Sequence, residues 1–214
     1  MNPTRRSRAE SKDRTRAALL RAGGDLFADL GYNATTVEAI VERAGFTRGA
    51  FYAHFTDKAD LFATLLAETR HQAMAHIRDQ VAAADDSAKV GVIQRWYDSL
   101  DAESPWGLAY AEFWPQAIRD PALRTRLAAV QEATHDAIEQ TLIDYCTMAG
   151  VELPIPVSEM AAMILAVAEG VAAQRRLDPP GLAPDAFMRA VTYLWFGVLA
   201  DSSTVSPSSS KKHR

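Results

Sequence analysis

Four residues in the first quarter of the chain could recognise a patterned anionic surface: Thr47, Arg48, Gly49 and Tyr52. On a helix, positions one turn apart share a face, which sets Arg48 beside Tyr52 with Gly49 next to them. A guanidinium can read a guanine edge in the major groove, and a phenol can bond a phosphate oxygen. Phe51 and Phe55 share a different face and are expected to point into a core. Gly49 is costly inside a helix, by roughly 0.8–1 kcal/mol relative to alanine. Its reason is either close approach to DNA or close packing against another helix. Thr36, His54 and Lys58 flank these positions and are candidates for holding phosphates. For His54 the alternative is a half-buried histidine at a helix end, and for Lys58 an ordinary exposed lysine.

The stretch that must position these groups is residues 35–58, TTVEAIVERAGFTRGAFYAHFTDK. Thr35 and Glu38 fit a capping box that opens a helix near Thr36. Val37, Ile40, Val41 and Ala44 give that helix an apolar side. Gly45 suits a C-cap that needs positive φ. Thr47 then caps a second helix from Arg48 to about His54. Two short helices around a glycine-containing turn make a helix-turn-helix. A longer helix is expected in front of it, from about Ser11 to Leu30, closed by Gly31. Before that lies a basic arm with Arg5, Arg6 and Arg8, which either reaches a groove or phosphates or is a solvated terminus.

Residues 35–62, TTVEAIVERAGFTRGAFYAHFTDKADLF, resemble the DNA-binding signature of the TetR family of bacterial repressors. The likeness is dense from about Leu20 to Phe62. It implies an all-α fold of about nine helices, with three N-terminal helices on DNA, a ligand-binding body behind them, and a dimer that pairs its last two helices.

Charge is divided in the same sense. Residues 1–58 carry ten Lys+Arg against seven Asp+Glu, or +3, whereas the remainder carries thirteen against twenty, or −7. A basic head on an acidic body fits DNA contact confined to one end. The expected division is residues 1–56 for DNA, 57–200 for effector binding and dimerisation, and a Ser-rich disordered tail over 201–214. Asp57 opens a long helix to about Ala84 that acts as a lever. A helix follows over about Ala88–Leu100, then one from Ser104–Pro105 with Pro115 predicting a kink or early stop. Another runs from Asp120–Pro121 to about Ala149, and two final helices cover Ser158–Leu177 and Pro184–Ala200.

Trp96, Trp106, Tyr110, Phe113 and Trp114 cluster in the body, with Glu112 among them and Met163 and Glu169 on a later helix. Ligand pockets are mostly apolar with a few placed polar groups. These residues are either the walls of an effector pocket or core. The two glutamates either favour a cationic effector or pair with Arg119 and Arg175. Val167, Val171, Phe187, Val191, Leu194, Trp195 and Val198 form two apolar stripes, read as a subunit interface or as burial within one subunit.

A competing constellation is Glu68-x-x-His71 with Glu132-x-x-His135, which together with Glu112 and Glu169 mimics the ligand set of a di-iron bundle oxidase. A helical small-molecule carrier is the other alternative. There is no glycine-rich phosphate loop, zinc spacing or catalytic triad. The lone Cys146 excludes an internal disulfide and suits a reducing cytoplasm. No signal peptide and no apolar run near bilayer length is apparent. The sequence thus points to a dimeric repressor without cofactor or catalysis. It would be bound to a palindromic duplex operator and released by a small hydrophobic or cationic effector.

Overall fold

The computed structural model describes residues 3–85, 91, 93, 97 and 105–202. Among these, regular structure is helical throughout. In chain order the elements are α1 (Pro3–Ala34), α2 (Val37–Ala44), α3 (Arg48–Tyr52), α4 (Lys58–Ala83), α5 (Pro105–Arg119), α6 (Pro121–Ala149), α7 (Val157–Leu177) and α8 (Ala186–Ser202). A 3-10 turn, Pro179–Gly181, links the last two. The helix expected over 88–100 falls largely outside the described residues; Gly91, Ile93 and Tyr97 are each helical.

The backbone divides into two compact units. One takes residues 1–76 and 99–134, the other residues 77–98 and 135–214. In the first unit, α1–α3 share a core with the first part of α4, with α5 and with the start of α6. Leu19, Phe27, Ile40, Phe51, Leu61, Phe62 and Phe113 are fully buried there. Phe62 is the hub. Its ring meets those of Phe27 at 4.9 Å, Tyr32 at 5.1 Å, Phe113 at 4.9 Å and Trp106 at 5.9 Å. Contacts of this kind add about 0.5–1.5 kcal/mol each beyond the area they bury.

Local chemistry sets the helix ends. Gly31 interrupts α1 with φ 79° and ψ 177°. Gly45 ends α2 in the left-handed region, with its own N–H donating to Glu42 O and that of Phe46 to Val41 O. The capping box expected of Thr35 is displaced by one residue. Thr36 is the N-cap and accepts from the Ala39 N–H, whereas Thr35 is buried and donates to the carbonyls of Gly31 and Leu26. Asp57 accepts from the Asp60 N–H, and Asp60 accepts from the Thr56 N–H, so the start of α4 is closed reciprocally. Asp120 caps α6 through the N–H groups of Ala122 and Leu123. Pro115 neither stops α5 nor shortens it; the helix continues to Arg119.

In the second unit, Tyr97 stacks on Phe187 at 3.8 Å and donates to Ala168 O at 2.9 Å. Val167, Val171 and Val191 pack beside this pair. Trp195 meets Tyr145 edge-on at 5.4 Å. α7 is long and apolar enough to cross a bilayer by length and composition, with mean hydropathy 1.3, which corrects the expectation that no stretch approaches that limit. Glu169 stands well inside it, where a charge in hydrocarbon is costly.

Candidate nucleic-acid interface

The polar groups singled out around α3 are presented as a ridge. Phe51 and Phe55 are buried at its base, while Arg48, Gly49 and Tyr52 are exposed, Tyr52 by 50%. Thr47 caps the helix, its hydroxyl accepting from the Ala50 N–H at 3.3 Å. Arg48 is held in place from two sides. Its guanidinium lies 2.9 Å from a Glu38 carboxylate oxygen on α2 and 5.9 Å from the centre of the Tyr52 ring. The Tyr52 hydroxyl, and then the Glu38 charge, raise its pKa and keep it cationic.

Gly49 discriminates between its two readings. A Cβ built there would meet only the Thr47 hydroxyl, at 3.8 Å, so no helix among the described residues packs against it. Gly49→Ala is therefore expected to raise the stability of the free protein by up to ~1 kcal/mol while weakening duplex binding. Urea unfolding and a binding titration on one preparation check this, and a stability loss would restore the packing reading.

Thr36 is exposed at the start of α2. His54 is half-buried; burial, then Lys12 and Arg16 nearby, push its pKa down, so it offers a mostly neutral ring. Arg5 and Arg6 lie on the first turns of α1, which reaches back to Pro3 where an arm was expected.

Lys58 departs from expectation. It is not a free cation aimed at a phosphate: its ammonium donates to Tyr32 O at 2.7 Å and Thr35 O at 2.8 Å, and lies 4.2 Å from the Tyr32 ring centre. Burial lowers its pKa, opposed by the charge of Glu112. Burial, with a contribution from the Asp57 charge, pushes the Tyr32 phenol up to about 12. The lysine ties the α1–α2 turn to the start of α4.

The residues proposed for an effector pocket are mostly spent on core. Phe113 is fully buried and meets Tyr32 at 5.0 Å. Trp106 stacks on Phe62, and Tyr110 and Trp114 pack beside the same cluster. The Glu112 carboxylate accepts from the Asn33 N–H at 2.8 Å and belongs to the head. Met163 and Glu169 are half-buried on α7 in the second unit, and Trp96 lies outside the described residues. A cleft of about 630 Å³ between α1 and α4 is lined by Arg16, Arg21, Asp25 and Glu68 among others; of the expected set it includes only Trp106.

The di-iron set does not assemble. Glu68 pairs with Arg16 at 3.1 Å and Glu112 serves Asn33. Among the described residues the grouping with metal-ligand proximity is His135, Asp136 and Glu139, which shares only His135 with that set, and the His135 ring also bonds Ser158 O at 2.8 Å.

The two stripes expected at a subunit interface are partly spent on packing within the chain. Phe187 is 2% exposed and, with Val167, Val171 and Val191, packs within the chain; Leu194, Trp195 and Val198 are half-buried. The outward face is instead Ala162, Ala166, Gly170, Ala173 and Leu177 on α7, with Tyr193, Phe196 and Gly197 on α8. Leu177 is 81% exposed, Tyr193 66% and Phe196 65%.

Two family models match along the chain. Residues 19–65 match the model of bacterial regulatory proteins of the tetR family, and residues 90–194 match the C-terminal domain of BetI-type transcriptional repressors. The chain belongs to the TetR family. Among curated TetR-type relatives, it is 42% identical over 66 residues to the repressor BepR of Brucella suis, covering 31% of each chain. It is 23% identical over 137 residues to the activator FasR of Mycolicibacterium smegmatis, covering 63% of this chain and 61% of that one. Both matches therefore span less than two thirds of the relative. The fold resembles that of the regulator FadR of Bacillus subtilis, solved in complex with stearoyl-CoA. There the TM-score is 0.62 and the identity 16%, over 83% of this chain and 96% of that one.

Sequence reasoning missed two contacts that frame the helix-turn-helix: Glu112 and Gln116 on Asn33, and Arg126 on Thr56 and Asp57. Their partners lie 69 to 83 residues apart in the chain, so local pattern carries no sign of them.

Proposed function

We propose that this TetR-family chain is a dimeric, cytoplasmic transcriptional repressor that a small molecule releases from a palindromic operator. The observation that carries the reading is the exposed ridge of Arg48, Gly49 and Tyr52 over the buried anchors Phe51 and Phe55. In this reading Arg48 and Thr47 meet base edges, and Tyr52, Thr36, His54, Arg5 and Arg6 meet phosphates. Residues 1–56 are the DNA-binding part, and residues 57–200 serve effector binding and dimerisation. The operator recovered by selection from random duplexes tests it. Arg48→Ala is expected to lose roughly 10- to 100-fold in operator affinity and to relax preference at one position per half-site. An unchanged sequence preference would remove Arg48 from the reading set.

Dimerisation is assigned to the outward face of α7 and α8. Gly170 and Gly197 have nothing within 4 Å of an added Cβ, so a second copy can approach closely there. Phe196→Glu is expected to weaken the dimer about 30-fold or more, as loss of a central anchor does. Light scattering across a dilution series measures it, and a dimer unaffected by this change would place the interface elsewhere. The effector is proposed to be small and apolar or cationic. Release of the selected operator by members of a compound panel is the test.

A further inference from the structure

The helix-turn-helix is gripped at both ends by polar side chains of one helix pair. At its entry, the Asn33 N–H donates to Glu112 Oε2 at 2.8 Å, and Gln116 Nε2 donates to Asn33 Oδ1 at 2.6 Å. Both gripping residues stand on α5, one turn apart. At its exit, Arg126 on α6 donates through Nη1 to Asp57 Oδ1 at 2.8 Å and through Nη2 to Thr56 Oγ1 at 3.0 Å. Between the two grips lie α2 and α3, and nothing else of regular structure. All six residues fall in the first compact unit.

We infer that Glu112 and Arg126 are positioning residues for DNA binding, setting from α5 and α6 the angle at which α3 is presented. This rests on α3 being the recognition helix.

The apolar anchors of α2 and α3, with the Arg43–Asp29 pair at 3.0 Å, keep these helices folded against α1, but apolar contact itself is non-directional. Hydrogen bonds constrain direction, with steep loss below about 120°. A clamp at each end of a 25-residue segment therefore restrains rotation of the whole segment, where a clamp at one end leaves a pivot. Partly exposed ion pairs such as Arg126–Asp57 contribute little to stability. Polar grips at both ends, hydrogen bonds to Asn33 at one and the Arg126 ion pair at the other, are better explained by orientation than by stability. A dimer must satisfy two half-sites at once, so a small tilt of each head changes the spacing that the pair fits. α5 and α6 adjoin through Asp120, the α6 cap, so a shift of that corner loosens both grips together.

The test uses the full chain, the selected operator, and a series in which the half-sites are moved apart or together by one base pair. Glu112→Ala and Arg126→Ala should each lose about 10-fold on the selected spacing, keep their affinity for random duplex, and flatten the dependence on spacing. Glu112→Gln, which keeps an acceptor oxygen facing Asn33, should restore the wild-type profile. Thermal unfolding is followed in parallel and should move little. Three results overturn the proposal: an unchanged spacing profile in both alanine variants, an equal loss on operator and random duplex, or a loss that merely tracks unfolding. If the wild-type protein prefers no duplex, the recognition reading itself fails; if it does and the variants match it, only the clamp fails.

Discussion

Gly31→Ala is expected to destabilise the protein by about 3 kcal/mol, where the superficially similar Gly45→Ala costs only about 1–2 kcal/mol. Both glycines have positive φ, but they differ in ψ and in surroundings. Gly45 sits at φ 72° and ψ 31° with nothing within 4 Å of a built Cβ, so alanine there bears only the left-handed penalty. Gly31, at φ 79° and ψ 177°, occupies a region almost reserved for glycine, which costs other residues roughly 1–3 kcal/mol. Its Cβ would also lie 2.8 Å from Glu112 Oε2. The carboxylate is the far end of a flexible side chain and can move aside, and the Asn33 N–H it leaves is exposed to water, so this clash adds little to the backbone cost. Urea unfolding of the two variants side by side measures the gap. Equal costs would mean that the backbone at residue 31 relaxes to a conformation alanine tolerates as well as that at residue 45.

Phe62→Ala is expected to cost about 3–5 kcal/mol, a large part of the roughly 5–15 kcal/mol that holds a domain folded. The ring is fully buried and touches four others, from α1, from α5 and from the turn after Gly31. Truncation leaves a void that Phe27, Trp106 and Phe113 can each fill only by abandoning a neighbour. Phe62→Leu should recover much of the loss, since it restores most of the volume. Thermal unfolding monitored by tryptophan fluorescence is a suitable readout because Trp106 stacks on this ring. A loss under about 1 kcal/mol would show that the aromatic cluster is loosely packed.

The head was legible because its determinants are local. The spacing of Val37, Ile40 and Val41, the glycine at 45 and the threonine at 47 each act within one or two turns, and the structure places α2 and α3 accordingly. Thr35 and Thr36 are indistinguishable by type. What separates them is the turn made at Gly31, which drives Thr35 inward onto the Leu26 and Gly31 carbonyls. The aromatics of α5 were legible as one face of a helix but not by what covers that face. Trp106 and Phe113 meet Phe62 and Tyr32, more than forty positions upstream. The partners of Lys58 and Glu112 were hidden for the same reason, since they come from the turn after Gly31. The outward face of α7 was hidden by its own composition. Alanine and glycine carry a weak apolar signal, so Val167 and Val171 drew attention from the exposed Ala166 and Gly170 beside them.

The bond between Arg48 and Glu38 has a bearing on discrimination. A free surface cation gains from any phosphate by shedding the condensed ions it displaces, and that gain is blind to sequence. Arg48 already carries a carboxylate as its neighbour, so a stretch of duplex offering no guanine edge gives it little reason to leave. In the proposed reading, in which Arg48 meets a base edge, its carboxylate neighbour Glu38 disfavours duplex that offers no guanine, and the guanidinium supplies the reward where one is present.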